Sequence, residues 1–149
     1  MVEVTGDTVI SAISVKLHSS FSPSPAIYKD QVEQGLVKPC FFVSCINQTQ
    51  ERIAPNWFKR SASMEVRFHP TEGTNKYAQC RAIGEKLLEV LDSVDLPCTL
   101  INYSTLPCWG RNLEYKIRDE VLIFYVTYDF KVKKVVTAET AMAELELIL

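Results

Sequence analysis

The sequence is poor in the residues from which most enzyme sites are built. It holds two histidines, His18 and His69, and five glycines in 149 residues. None of the glycines stands in a GxxxxGK[ST] or GxGxxG pattern, so a phosphate-cradling loop and a dinucleotide fingerprint have no support. HExxH and GxSxG are absent too, which removes the motif-bearing zinc proteases and the hydrolase elbow. Charge of one sign is equally scarce: 16 basic against 18 acidic residues leave a formal −2, too little for a firm nonspecific hold on nucleic acid. The longest apolar run, Val121 to Val126, falls far short of the ~20 residues that cross a bilayer. The first residues lack the basic, apolar, small-residue order of a signal peptide. A soluble intracellular protein is the expectation.

What the chain does have is material for one core. Hydrophobic residues make up 47% and aromatic residues 10%, and a chain of this length buries roughly 68–70% of its unfolded surface without metal or disulfide staples. A single domain over residues 1–149 is expected, with 135–149 as an extended or weakly packed end. The five cysteines, Cys40, Cys45, Cys80, Cys98 and Cys108, form no CxxC pair, and neither a zinc site nor a cofactor is indicated. They read as small buried hydrophobes in a reducing compartment. Cys40 or Cys45 with His69 is the one pairing from which a thiol-dependent enzyme could be built, and it would need a thiolate of lowered pKa. Glu85 and Glu89, one helical turn apart, read as a solvated face rather than an acid/base pair.

Periodicity supplies the elements. After Gly6-Asp7, with Asp7 as the cap, Val9, Ile10, Ile13 and Leu17 recur at helical spacing until Phe-Ser-Pro-Ser-Pro ends the run near Ser19 or Ser20. Ala26 to Val32 reads as a short strand, Gly35 as a turn, and Cys40 to Ile46 as a strand apolar on both faces. Asn47 to Asn56 reads as a polar loop. Phe58 to Phe68 alternates cleanly, with Phe58, Ala62, Met64, Val66 and Phe68 on one face and Arg60 the intruder among them. Thr74 or Asn75 then caps a helix whose stripe is Tyr77, Cys80, Gly84, Leu87, Leu88 and Leu91, with Gly84 implying close packing against a sheet.

Asp92 to Gly110 reads as irregular except for a short strand, Thr99 to Tyr103. A two-residue turn at Asp119-Glu120 pairs Ile117 with Leu122, Tyr115 with Phe124 and Leu113 with Val126, all on one face. Tyr128, Phe130 and Val132 continue that face until the lysines at 131, 133 and 134. Ala138 to Leu149 is divided between helix, by its Ala, Glu and Met, and strand, by the alternation of Glu144 to Leu147. An arm added to a neighbouring chain's sheet edge, and a short packed terminal helix or fraying tail, are both open there. The order α-β-β-β-α-β-β-β reads as an α+β fold: a mainly antiparallel sheet with two helices packed on one face.

Tyr28, Trp57, Trp109 and Tyr125 are candidate subunit anchors, because aromatic residues are enriched at interface centres. Trp57-Phe58-Lys59-Arg60 is the candidate contact loop, and Arg111 beside Trp109-Gly110 could meet a phosphate.

Several of these residues also carry a resemblance. Ile27-Tyr28, Val32-Glu33-Gln34-Gly35 leading to Pro39-Cys40-Phe41-Phe42, Lys59-Arg60 opening a strand that closes at Phe68-His69-Pro70, and the hairpin Tyr115-Lys116-Ile117, Asp119, Val121-Leu122, Phe124 and Val126 to Phe130 together resemble the phage tail terminator (tail completion) proteins of tailed phages, prophages and phage-tail-like bacteriocins. The resemblance runs from about Val9 to Leu147. It implies a non-enzymatic subunit of a ring, a hexamer in that reading, capping the head-proximal end of the tail tube. The ring ends tube polymerisation and meets the head-tail connector or, in contractile tails, the sheath. Assembly would take place in the bacterial host cytoplasm, ending in the virion. Glu33, Gln34, Lys59, Arg60 and Arg111 then join the four aromatics as interface candidates. A head-tail adaptor or a tube subunit is the alternative. Six chains at −2 give a formal −12, so a bore biased to acidic residues would let DNA pass without holding it.

Overall fold

A computed structural model describes residues 4–29, 35–97 and 105–134. Its elements are α1 (Gly6–Ser20), β1 (Ala26–Lys29), β2 (Cys40–Ala54), β3 (Trp57–His69), α2 (Lys76–Val90), β4 (Ser93–Pro97), β5 (Thr105–Arg118) and β6 (Val121–Lys133). The expected α+β order is what the chain adopts. The strands form a six-stranded sheet in the order β1-β2-β3-β6-β5-β4. β1 runs parallel to β2 and the other neighbours are antiparallel.

The central pair, β3 and β6, holds one register from Trp57↔Lys133 to Phe68↔Leu122. Because side chains alternate along a strand, this register sorts the sheet into two faces. On one face lie the rows Phe41-Phe68-Leu122, Val43-Val66-Phe124 and Cys45-Met64-Val126, nearly all of them fully buried. Val9, Ile13 and Leu17 of α1 and Cys80 and Leu87 of α2 are buried in the same cluster, so both helices cover this face. The other, the open face, has no helix over it among the described residues.

The ends of the helices differ from expectation at both starts: Asn75 stands at the N-cap of α2 without a side-chain cap bond. Thr5, rather than Asp7, caps α1: its hydroxyl accepts from the Thr8 amide at 3.4 Å while its own amide donates to the Thr8 hydroxyl at 3.0 Å. Asp7 instead sits in the first turn, where a carboxylate faces the free amides of the helix start. In α2 the stripe is Cys80, Gly84, Leu87 and Leu91; Tyr77, expected within it, is 49% exposed, because it lies a turn before the helix meets the sheet. The end of α2 is fixed by Tyr128, a fully buried ring whose hydroxyl donates to the Leu91 carbonyl at 2.6 Å. The Gly110 amide donates to the adjacent Asp92 carbonyl at 2.7 Å. A side chain at Gly110 would meet Val126 at 2.7 Å, so the backbone approach there requires glycine.

Three further expectations are corrected. Residues 47–54 are not a loop: β2 continues through them and turns at Pro55-Asn56, where Asn56 takes φ 64°. The region from Asp92 to Gly110 contains β4 and the start of β5, paired from Ser93↔Trp109 to Pro97↔Thr105; the expected strand Thr99 to Tyr103 lies outside the described residues. In the final hairpin Ile117↔Leu122 and Tyr115↔Phe124 hold, but the register shifts between Arg111 and Glu114, so Leu113 does not face Val126 as a ladder pair. Asn112, at φ 56°, supplies the extra residue of this bulge. Residues 30–34 and 135–149 also lie outside the described part, and with them the end of the first expected strand and the choice between helix and strand for the C-terminal segment.

The close packing inferred for Gly84 is present, since an added Cβ would fall 2.9 Å from the Tyr115 ring. Gly84→Ala gains up to about 1 kcal/mol in helix propensity but must displace that ring, at a cost of about 1–3 kcal/mol. Denaturant unfolding should therefore show a net loss, of up to about 2 kcal/mol when the full propensity gain is realised. In a Tyr115→Ala background the same substitution should become neutral or stabilising.

Candidate interface surfaces

The open face can be built row by row from the register. At the inner end Phe42, Arg67, Ile123 and Lys116 lie side by side. Tyr28 of β1 stacks on Phe42 with ring centroids 5.3 Å apart, and its hydroxyl accepts from the Val37 amide at 3.2 Å. The next row is Ser44, Glu65, Tyr125 and Glu114; Glu65 accepts from Arg67, and the Lys116 ammonium lies 5.3 Å from the Tyr125 ring. Then come Ser63, Thr127 and Arg111, followed by Thr49, Ser61 and Asp129.

Asp129 accepts from two side chains on this face. Arg111 Nε donates to its Oδ2 at 2.6 Å and the Ser61 hydroxyl to its Oδ1. Partial burial pushes its carboxyl up, but the bonds from Arg111 and Ser61, with the charges of Arg111 and Lys59, outweigh this and hold it below the usual carboxylate range.

Beyond Asp129 the sheet narrows to three strands. Residues 47–53 of β2 are exposed save for their bonded edge, and with the start of β3 and the end of β6 they form a projecting arm. Its open face carries Glu51, Lys59 and Lys131 in one row and Trp57 beside Lys133 in the last. The Lys133 ammonium lies 5.6 Å from the Trp57 ring, and Trp57 remains 41% exposed. At the opposite side of the sheet Trp109 is 65% exposed.

Of the nine sequence candidates, the structure brings Tyr28, Trp57, Lys59, Trp109, Arg111 and Tyr125 onto this one face. Arg60 lies on the other. Its Nε donates to Gln50 Oε1 at 2.7 Å and an outer guanidinium nitrogen to the Val4 carbonyl at 3.0 Å, so it ties the arm to the start of α1. Glu33 and Gln34 lie outside the described residues. Sequence reasoning placed Ser61 on the solvated or partner-facing side of its strand but missed Asp129, Lys131 and Lys133 as parts of the surface. The signal was available in the alternation of β6, where Asp129, Lys131 and Lys133 oppose Tyr128, Phe130 and Val132.

The thiol pairing has the wrong electrostatics. Cys40 and His69 are directly opposite in the β2–β3 register, yet burial pushes the Cys40 thiol up and the His69 imidazole down. Burial raises Cys45 as well. A thiolate-imidazolium pair needs both shifts reversed. Among the described residues no group of His, Cys, Asp and Glu is arranged to hold a metal, and no helix is long and apolar enough to cross a membrane.

A family model described as phage tail terminator protein matches residues 8–140. No curated protein matches the chain.

Because the Asp129 carboxyl is held low in the folded state, its contribution to stability is complete above the unfolded-state value and disappears as pH falls through the folded-state value. Asp129→Asn should therefore flatten the acid limb of a stability-versus-pH curve below about pH 4. Denaturant midpoints at a series of pH values down this acid limb check this; an unchanged limb would mean that the pair with Arg111 adds nothing.

Proposed function

Since the chain belongs to the phage tail terminator family, we propose that it forms a ring, a hexamer, that caps the head-proximal end of the tail tube. Membership makes it a structural component of a phage tail and so of the virion. In the proposed role it acts by geometry: one axial end of the ring matches the tube, and the other refuses a further tube ring and meets the connector or sheath.

The observation that carries the ring is the pair of unfinished edges of the sheet. Among the described residues β1 pairs only with residues 40–43 of β2, and β4 only with residues 105–109 of β5. Among the described residues, the outer edges of β2 beyond Val43 and of β5 beyond Gly110 have no partner strand. They lie on opposite sides of the sheet and, through the antiparallel steps from β2 to β3 to β6 to β5, run in opposite directions. A rotation from one copy to the next can therefore lay them together as an antiparallel pair. One heterologous contact of this kind, repeated, closes a ring and uses both of these edges in every copy.

Within that ring Tyr28, Lys59, Arg111, Tyr125, Glu33, Gln34, Trp57 and Trp109 are proposed contact residues. Arg60 serves by holding the arm rather than by touching a partner. DNA is only a passing molecule, which requires Lys59, Lys131 and Lys133 to face protein and not the bore. No catalytic residue and no cofactor is assigned. The particle would be assembled in the cytoplasm of its bacterial host.

Electron microscopy of the purified chain with and without tube protein tests the reading. Discrete rings, or rings formed only on tube ends, are expected. Cylinders of the chain alone would identify a tube subunit, and tails of normal length without this protein would refute termination. Trp57→Ala and Trp109→Ala should each reduce ring formation at least about tenfold, the ~1.4 kcal/mol or more that an interface anchor contributes, without changing the circular dichroism of the free chain.

A further inference from the structure

The two free edges of the sheet do not lie level with each other. β1 takes up the outer edge of residues 40–43, so among the described residues β2 is free from Ser44 to Ala54. β4 takes up residues 105–109, so β5 is free from Gly110 to Arg118. Across the sheet Ser44, Glu65, Tyr125 and Glu114 share one row, and Phe42, Arg67, Ile123 and Lys116 another. Residues 115–118 are therefore level with the part of β2 that β1 covers. A second copy set beside β2 without an offset would pair through little more than Gly110 to Glu114, and its residues 115–118 would run into β1.

Sliding the second copy along β2 toward the arm tip removes the conflict. Because side chains alternate, only an even number of residues keeps open face beside open face. An offset of two still sets Ile117 and Arg118 against Val43 and Phe42, where β1 lies. An offset of four sets Arg118 opposite Ser44, Lys116 opposite Asn47, Glu114 opposite Thr49 and Arg111 opposite Glu51 on the open face. On the helix side it sets Ile117 opposite Cys45 and Tyr115 opposite Gln48. The β2 edge from Ser44 to Arg52 then lies along the whole β5 edge from Arg118 to Gly110. Arg111 uses its Nε on Asp129, and among the described residues its outer guanidinium nitrogens are available to Glu51. An offset of six sets Glu51 against Glu114, two like charges, and leaves Ser44 and Cys45 unpaired.

We propose that neighbouring copies join these edges with an offset of four residues, the β2 arm of one lying along β5 of the next and Glu51 meeting Arg111. This rests on the ring proposed above and adds its register. Between the two edges each copy contributes β2, β3, β6 and β5, about 19 Å across at about 4.8 Å per strand. Four residues are about 13 Å along a strand. The offset therefore tilts the strands about 35° from the ring axis, and closed sheets ordinarily stand at about 35–45°. The composition of the arm agrees with pairing. Residues 44–54 hold neither lysine nor proline, which commonly keep an edge from adding a strand, and the bulge residues Ile46 and Ile53 are 52% and 47% exposed.

Paired cysteines in the whole chain test it, with rings observed by electron microscopy before oxidation. Thr49→Cys with Glu114→Cys is expected to lose its monomer band on non-reducing gels to disulfide-joined multimers. Thr49→Cys with Arg111→Cys and Thr49→Cys with Lys116→Cys, which report offsets of two and six, should stay monomeric there, since diagonal neighbours about 7–8 Å apart exceed the reach of a disulfide. Rings joined through either of the other pairs, or through none of the three, would overturn the register and leave the ring standing. An unaltered chain that forms no ring with or without tube protein would overturn the ring and the register with it. Amide hydrogen exchange of the unaltered ring needs no substitution and decides the matter where a cysteine variant fails to assemble. Alternate amides throughout residues 44–52 and 110–118 should slow on ring formation, whereas slowing confined to 44–47 and 110–114 would mean a contact without offset and overturn the proposal.

Discussion

The β3–β6 register is the constraint on which the rest depends. A slip of one residue would turn Ala62, Met64, Val66 and Phe68 away from the helices and send Ser61, Ser63, Glu65 and Arg67 beneath them, so the register is fixed by burial as strongly as any in the sheet. Once fixed, it places Tyr128 where its hydroxyl reaches the end of α2, and Asp129 where Ser61 and Arg111 reach it. It also places Lys131 directly opposite Lys59. Like charges facing each other across strands cost a few tenths to about 1 kcal/mol. Glu51, on the other side of Lys59, offsets part of this, and the arm accepts the remainder because the buried rows have already set the alignment.

That division explains what was legible in the sequence. β3 and the inner part of the last hairpin show alternation because one face is under helices and the other is wet. Residues 47–54 show none, because the start of α1 reaches only the base of the arm, at Gln48 and Arg60, and a strand wet on both faces has the composition of a loop. Its pairing comes from β3, not from its own residues. β4 is short and ends at Pro97, and Pro107 interrupts the reading of β5; the edge position that tolerates these prolines also hides the strands. The bulge at Asn112 leaves no mark except an asparagine able to take positive φ.

The turn at Asp119-Glu120 is a related case. Both residues adopt positive φ, 52° and 63°, as a type I′ turn demands, although glycine is the usual choice. The Glu120 carboxylate lies 3.2 Å from the Lys76 ammonium, so the strained position is held against the first turn of α2. The surface candidates were legible to about the same degree. Aromatic residues on the wet phase of the strands pointed to the open face, whereas Arg60 could be recognised as different only because it broke the apolar phase of β3. Its bond to Val4 comes from a segment 56 residues away, which local pattern cannot show.

The two free edges bear on what a terminator must differ in. A pair of β2 edges related by a two-fold axis would make a dimer and leave β5 unpaired, whereas the head-to-tail contact uses both edges in every copy. A tube subunit that closes a ring meets the same requirement, so sheet edges cannot tell a stopping ring from a growing tube. In a ring whose strands run toward its two axial ends, the arm tip lies at one end and the Asp119-Glu120 turn at the other. The tip presents Trp57, Lys133 and Lys134; the far end presents Asp119 and Glu120, with Glu72 held nearby by Lys38 and Lys76. Stacking identical rings would set basic, aromatic tips against an end where Lys38 and Lys76 offset Glu72 and Glu120, so charge does not forbid it. In the proposed role, the block to stacking has to come from shape at one axial end, and the projecting arm, which stands beyond the helical cover, is the element of this fold that the proposal assigns to it.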